Sequence, residues 1–97
     1  MERINSKLNP QAMLVRAYEK ETCSKKTIVR LKVDYADFPP PKRITVEIFF
    51  DDGTSRRAEA LLVSAYTDYA YYDLSAADAR EVYPYVDKIR EIRVVSE

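Results

Sequence analysis

Ninety-seven residues, 46% hydrophobic and 33% charged, are enough for one domain with a single core and too few for two. Sixteen lysines and arginines balance sixteen aspartates and glutamates, so no net field draws the chain onto nucleic acid or an acidic membrane. Histidine is absent and glycine occurs once, which removes histidine-activated nucleophiles, HExxH zinc sites, phosphate loops and dinucleotide fingerprints.

From residue 1 to residue 8 no periodicity is sustained, and this stretch of the single domain 1–97 reads as a loose arm. Glu2, Arg3 and Asn5 stand where a secretory signal needs an apolar block, and no run of about eighteen apolar residues follows. Asn9 and Pro10 form an N-cap with proline at the first helical position. With Leu14, Ala17, Tyr18 and Glu21 at helical spacing they predict a helix from Pro10 to about Glu21; a strand from Met13 to Tyr18 is the competing reading. Thr22 to Lys26 is a polar break holding the single cysteine, Cys23, which has no internal disulfide partner and fits a reducing, cytoplasmic setting. Lys25 and Lys26 beside it lower a thiol pKa, and the plainer reading is an incidental loop thiol.

Strict alternation begins at Thr27, with Val29, Leu31, Val33 and Tyr35 on one side and Ile28, Arg30, Lys32 and Asp34 on the other, which predicts a strand with one wet face. Pro39, Pro40 and Pro41 stop it. Ile44, Val46, Ile48 and Phe50 then alternate again before Asp51, Asp52 and Gly53. A two-residue turn would set Ile48 opposite Arg57. A three-residue turn with Gly53 left-handed pairs Glu47 with Arg57, Val46 with Ala58 and Ile44 with Ala60, and is the register expected. The second arm, Ala58 to Tyr66, also carries a helical stripe at Ala58, Leu61, Leu62, Ala65 and Tyr66; pairing with the first arm favours strand.

Thr67 and Asp68 turn the chain into a short strand from Tyr69 to Leu74. Ser75 and Asp78 resemble a capping box for a two-turn helix from Ala76 that stops before Pro84. Ile89 to Val95 is the last strand. The expected fold is therefore mainly β within the α+β class: five antiparallel strands in a bent sheet or small barrel, an N-terminal helix, and a short helix before the last strand.

Between residues 44 and 97 the order of a strand, DDGT, RAEALLVSAYTD, YAYYDL and KIREIRVV is similar to small Sm-like barrels, and most of all to WYL domains. Tyr71, Tyr72 and Leu74 look like that family's aromatic cluster, and Asp87, Lys88 and Ile89 like the motif opening its last strand. Trp is absent and Asp73 interrupts the cluster. The resemblance implies a small barrel that binds a ligand, nucleic acid or nucleotide, without reacting with it.

The tyrosines are the chemical excess: eight of eleven aromatics, six of them from Tyr66 to Tyr85. Tyrosine offers a large apolar area with a polar end at small entropic cost, which suits a contact surface. Tyr72 is in phase with Leu74 and faces the core, whereas Tyr69 and Tyr71 point outward. The candidate binding residues are Tyr66, Tyr69, Tyr71, Tyr85, Arg43, Arg56 and Arg57. Arginines beside aromatics also suit single-stranded nucleic acid, while Arg57 has a ready structural partner in Glu47. Residues 1–47 carry ten basic and six acidic groups and residues 48–97 the reverse, a split that either polarises the molecule or cancels if the strands interleave. Asp51, Asp52, Asp68 and Asp73 leave room for a magnesium-dependent nuclease if they gather at one rim; aspartates at turns serve turn geometry as well. No cofactor and no catalytic set is expected. A non-enzymatic module with a protein partner or a second copy of itself leads, with nucleic acid as the alternative.

Overall fold

Six strands wrap into one antiparallel sheet in a computed structural model that describes residues 13–23, 26–36 and 38–96. They are β1 (Met13–Cys23), β2 (Lys26–Tyr35), β3 (Arg43–Phe50), β4 (Ser55–Ala65), β5 (Tyr69–Leu74) and β6 (Ile89–Ser96). A helix, α1 (Ala76–Val82), and a 3-10 helix (Tyr83–Lys88) join β5 to β6. The strand order is β1-β2-β5-β4-β3-β6, and the ring is closed by a single described pair between β1 and β6, Leu14↔Arg93.

Alternation makes the barrel. Val29, Leu31, Val33, Ile44, Val46, Ile48, Ala60, Ala70 and Tyr72 are fully enclosed, and their sequence neighbours face outward. Small inward residues on β4, Ala58 and Ala60, stand opposite Val46 and Ile44, so large side chains from β3 have room at the barrel axis. Tyr72 reaches across the core until its hydroxyl donates to the Pro41 carbonyl at 2.6 Å. Ala79, Val82 and Val86 join the same core, so α1 and the 3-10 helix serve as a plug for it.

The β3–β4 hairpin has the three-residue turn and the register expected of it, Glu47↔Arg57, Val46↔Ala58 and Ile44↔Ala60. Gly53 has φ of +90°, where a side chain is strained. Its N–H donates to the Phe50 carbonyl at 3.1 Å, and the Phe50 N–H donates to the Thr54 carbonyl at 2.9 Å. Asp52 completes the turn by accepting from the Thr54 N–H and hydroxyl.

The expected N-terminal helix is a strand, and the sheet has six strands instead of five. β1 pairs with β2 along its length, and the residue responsible for the misreading is Arg16, the extra residue of a bulge between Val15 and Ala17. A bulge shifts the phase of alternation by one. Met13 and Val15 face the core, and the next residue packed against it is Tyr18. Spacings of two and then three imitate a helical stripe. Cys23 is the last residue of this strand, not part of a loop. The arm over residues 1–8 and the Asn9–Pro10 cap lie outside the described residues.

The helix after β5 starts as its sequence implies, with Ser75 as N-cap and its Oγ accepting from the Asp78 N–H at 3.3 Å. The reciprocal half of the capping box is replaced. The Ser75 N–H donates to the Glu59 carbonyl, and the Asp78 carboxylate accepts from the Glu59 N–H at 2.8 Å. The start of the helix is thereby sewn to β4. Pro84 ends α1 and sits in the first turn of the 3-10 helix, where its missing donor is harmless.

Candidate functional site

The barrel has two unlike ends. One holds the β3–β4 turn, α1 and the 3-10 helix, tied together by the Asp51 N–H donating to the Lys88 carbonyl at 2.8 Å. The other holds the proline segment after β2 and the β4–β5 turn at residues 66–68. Beside that second turn, on the outer wall, lies the concentration of aromatic surface.

Tyr69 and Tyr71 are outward on β5 because Ala70, Tyr72 and Leu74 are inward. Tyr66 is brought over them by a tight turn in which its N–H donates to the Tyr69 carbonyl at 2.8 Å. The Tyr66 and Tyr69 rings stack at 4.8 Å, and Tyr71 meets both edge-on at 6.2 and 5.8 Å. β2 supplies Lys32, directly opposite Tyr71, whose ammonium lies 4.7 Å from the Tyr69 ring centre. Such cation–π contacts are worth about 0.5–1 kcal/mol at an exposed site, which favours this ring orientation a few-fold. On β4, Leu61 and Val63 are exposed to 41% and 49%, with Leu61 opposite Asp73 and Ser64 opposite Tyr71, and Tyr66 beyond the strand end is exposed to 47%. Val63 is the extra residue of a second bulge, between Leu62 and Ser64.

The remaining expected binding residues do not converge on this patch. Tyr85 belongs to the opposite end, where its ring meets Phe50 edge-on at 6.4 Å above a cavity of about 580 Å³ that also touches Arg56, Glu81 and Lys88. Arg43 pairs with Glu59 at 3.1 Å. Arg56 donates to Asp78 at 3.0 Å and lies 3.7 Å from Glu81, with its Nε buried and without a partner. Arg57 stands opposite Glu47, whose carboxylate accepts from the Ser55 hydroxyl. Three arginines are thus dispersed over the hairpin among acidic neighbours. The two charge halves of the chain interleave in the same way, as Arg30–Asp73, Arg43–Glu59 and Lys20–Asp87 pairs join them.

The four aspartates considered for metal binding are also apart. Asp51 and Asp52 lie in the β3–β4 turn, Asp68 in the β4–β5 turn at the other end, and Asp73 is held by Arg30 at 2.8 Å on the wall. Among the described residues no group of three or more Asp, Glu, Cys and His side chains has the geometry to hold a metal. Asp52 has its pKa lowered first by the Thr54 hydroxyl and then by the Thr54 N–H, which is turn chemistry. Glu91 is lowered chiefly by its hydrogen bond with Arg93. Tyr35, buried with its hydroxyl unpartnered, is pushed up by desolvation first and by the charge of Asp68 second.

Sequence reasoning found the outward tyrosines but not Lys32 as their neighbour. Lys32 was visible as a wet-face residue of β2, yet its place beside Tyr71 depends on β2 pairing with β5, forty residues away in the chain. The fold and this surface define a small six-stranded antiparallel barrel with an aromatic patch on its outer wall. The chain matches no family model, no curated protein and no solved structure. Among the described residues no helix is long and apolar enough to cross a membrane.

Proposed function

We propose that the protein is a non-enzymatic binding module acting by protein–protein contact, as an inhibitor, an adaptor or a homodimeric accessory protein. The observation that carries this reading is the packing of Tyr66, Tyr69 and Tyr71 against one another on the outer wall, with Tyr66 exposed. Rings already held by stacking and by Lys32 lose little freedom when a partner covers them, so more of the apolar burial appears as affinity. Clustered aromatic side chains at a protein surface are characteristic of contact sites. The balanced charge supports protein over nucleic acid as the partner.

Nucleic acid or a nucleotide is the second reading, favoured by the cation over the Tyr69 ring and by the likeness to WYL domains. One pair of measurements separates the two. Changing Tyr69 and Tyr71 to alanine removes partly buried rings that lie outside the core cluster, so folding is retained while capture of a protein partner, or concentration-dependent self-association in sedimentation, is lost. Tight binding to single-stranded DNA or RNA that falls steeply with salt replaces the protein reading with the second one. Unfolding of the double variant shows instead that the rings belong to the scaffold.

A further inference from the structure

A second surface lies where the barrel closes. Among the described residues β1 and β6 share only the pair Leu14↔Arg93. Beyond it, towards Tyr18 and Ile89, a side chain takes the place of the ladder: the Tyr18 hydroxyl donates to the Ile89 carbonyl at 3.0 Å. Each strand is bulged near here in the ladder with its other neighbour, β1 with β2 and β6 with β3, and the extra residue of each is an arginine. Arg16 is inserted between Val15 and Ala17 on β1, and Arg90 between Ile89 and Glu91 on β6. Between the strands runs a groove of about 530 Å³ whose floor includes Val15 and Ile92 and whose rim carries Arg16, Arg90 and Arg93.

We infer that this seam is a strand-addition site for an extended acidic peptide whose apolar residues alternate with carboxylates. The geometry sets each property of the occupant. The Ile89 carbonyl accepts from a phenol where a strand amide would stand, and an extended chain that displaces the phenol offers its own N–H groups there. Side chains of a strand point alternately to the two sides, so one set settles on Val15 and Ile92 while the other meets the rim. The rim holds three arginines against Glu91. Arg93 is bonded to Glu91 and Arg16 to Asp34, while Arg90 has no ion pair among the described residues. Arg16 and Arg93 are both more than half exposed, and a guanidinium has five N–H donors, so each keeps donors for an incoming carboxylate. A bulge bends its strand and re-aims the side chains beside it.

The probe is a fluorescein-labelled ten-residue peptide of alternating valine and glutamate, compared with the same peptide carrying lysine for glutamate and with one carrying a central proline. Anisotropy titration of the intact protein is expected to show binding of the glutamate peptide alone, weakened about tenfold on raising salt from about 0.05 to 0.3 M. Arg90→Glu reverses the charge of an exposed side chain, leaves the circular dichroism spectrum unchanged and weakens binding about tenfold or more. Amide exchange in the wild-type complex slows at residues 14–18 and 89–93 and not at the tyrosine patch, while the Tyr69, Tyr71 double alanine variant binds the peptide normally. Equal binding of the lysine peptide, indifference to Arg90→Glu, protection mapped to the tyrosines, or closure of the seam by a second copy of the chain each overturns the assignment.

Discussion

Removing the Asp78 carboxylate tests the claim that Arg56 is structural and not a ligand-binding residue. In Asp78→Ala the Glu59 N–H, the Ser75 hydroxyl and the Arg56 guanidinium lose one shared acceptor. The Asp78 side chain is 22% exposed, so water replaces the lost bonds only in part. A hydrogen bond to a charged group contributes about 1.5–3 kcal/mol, and the neutral one less. Allowing for partial hydration, the variant is expected to lose roughly 2–3 kcal/mol, a fall in Tm of about 10–20 °C for a domain of this size. Urea unfolding of the wild type, Asp78→Ala, Arg56→Met and the double variant is the assay. Arg56 already has a buried Nε without a partner, so a guanidinium stripped of Asp78 is a burden that Met relieves. The double variant should therefore be more stable than the sum of the two losses by about 1 kcal/mol. A loss under about 0.5 kcal/mol for Asp78→Ala, or strict additivity, refutes the account and returns Arg56 to the list of ligand-binding candidates.

Two further outcomes follow from the hairpin turn. Gly53→Ala meets nothing within 4 Å of the added methyl group, so its cost is that of holding alanine at φ of +90°, about 1–2 kcal/mol by urea unfolding. Asp52 ionises below its ordinary value of 3.8 when folded, so the stability it contributes is complete above that pH and disappears as pH falls through the lower, folded pKa. Asp52→Asn should flatten the acid limb of a stability–pH curve, and carboxyl resonances of the folded protein should place the Asp52 midpoint below 3.8.

How much of this was readable beforehand depended on how local the cause was. The β3–β4 register was readable because a lone glycine and an opposed Glu47 and Arg57 both act within ten residues. β4 was ambiguous because adjacent Leu61 and Leu62 fit a helical stripe; in the barrel Leu62 packs inward and Leu61 is exposed. β1 was misread because a single bulged residue, Arg16, breaks the period of two, and nothing in the neighbouring sequence marks a bulge. The outward tyrosines followed from the phase of Leu74. Their grouping with Lys32, the tether of Arg56 to a helix, and the seam between β1 and β6 follow from which strands lie side by side, a property of topology that alternation does not encode.

The strand order carries a kinetic consequence. β3, β4 and β5 form a meander whose turns are short, so this half of the wall can assemble as fast as its hairpins close. The pairs Arg30↔Asp73 and Val46↔Val94 bridge some forty to fifty residues, and the loops they close must be paid for in entropy before their contacts return anything. The protein should therefore fold on the millisecond-to-second scale of small all-β domains, with the meander as its nucleus and the outer strands arriving late. A nascent chain holding only that meander presents two unmatched borders, β5 on one side and β3 on the other, and the burden of keeping it from clumping falls on whatever attends its synthesis.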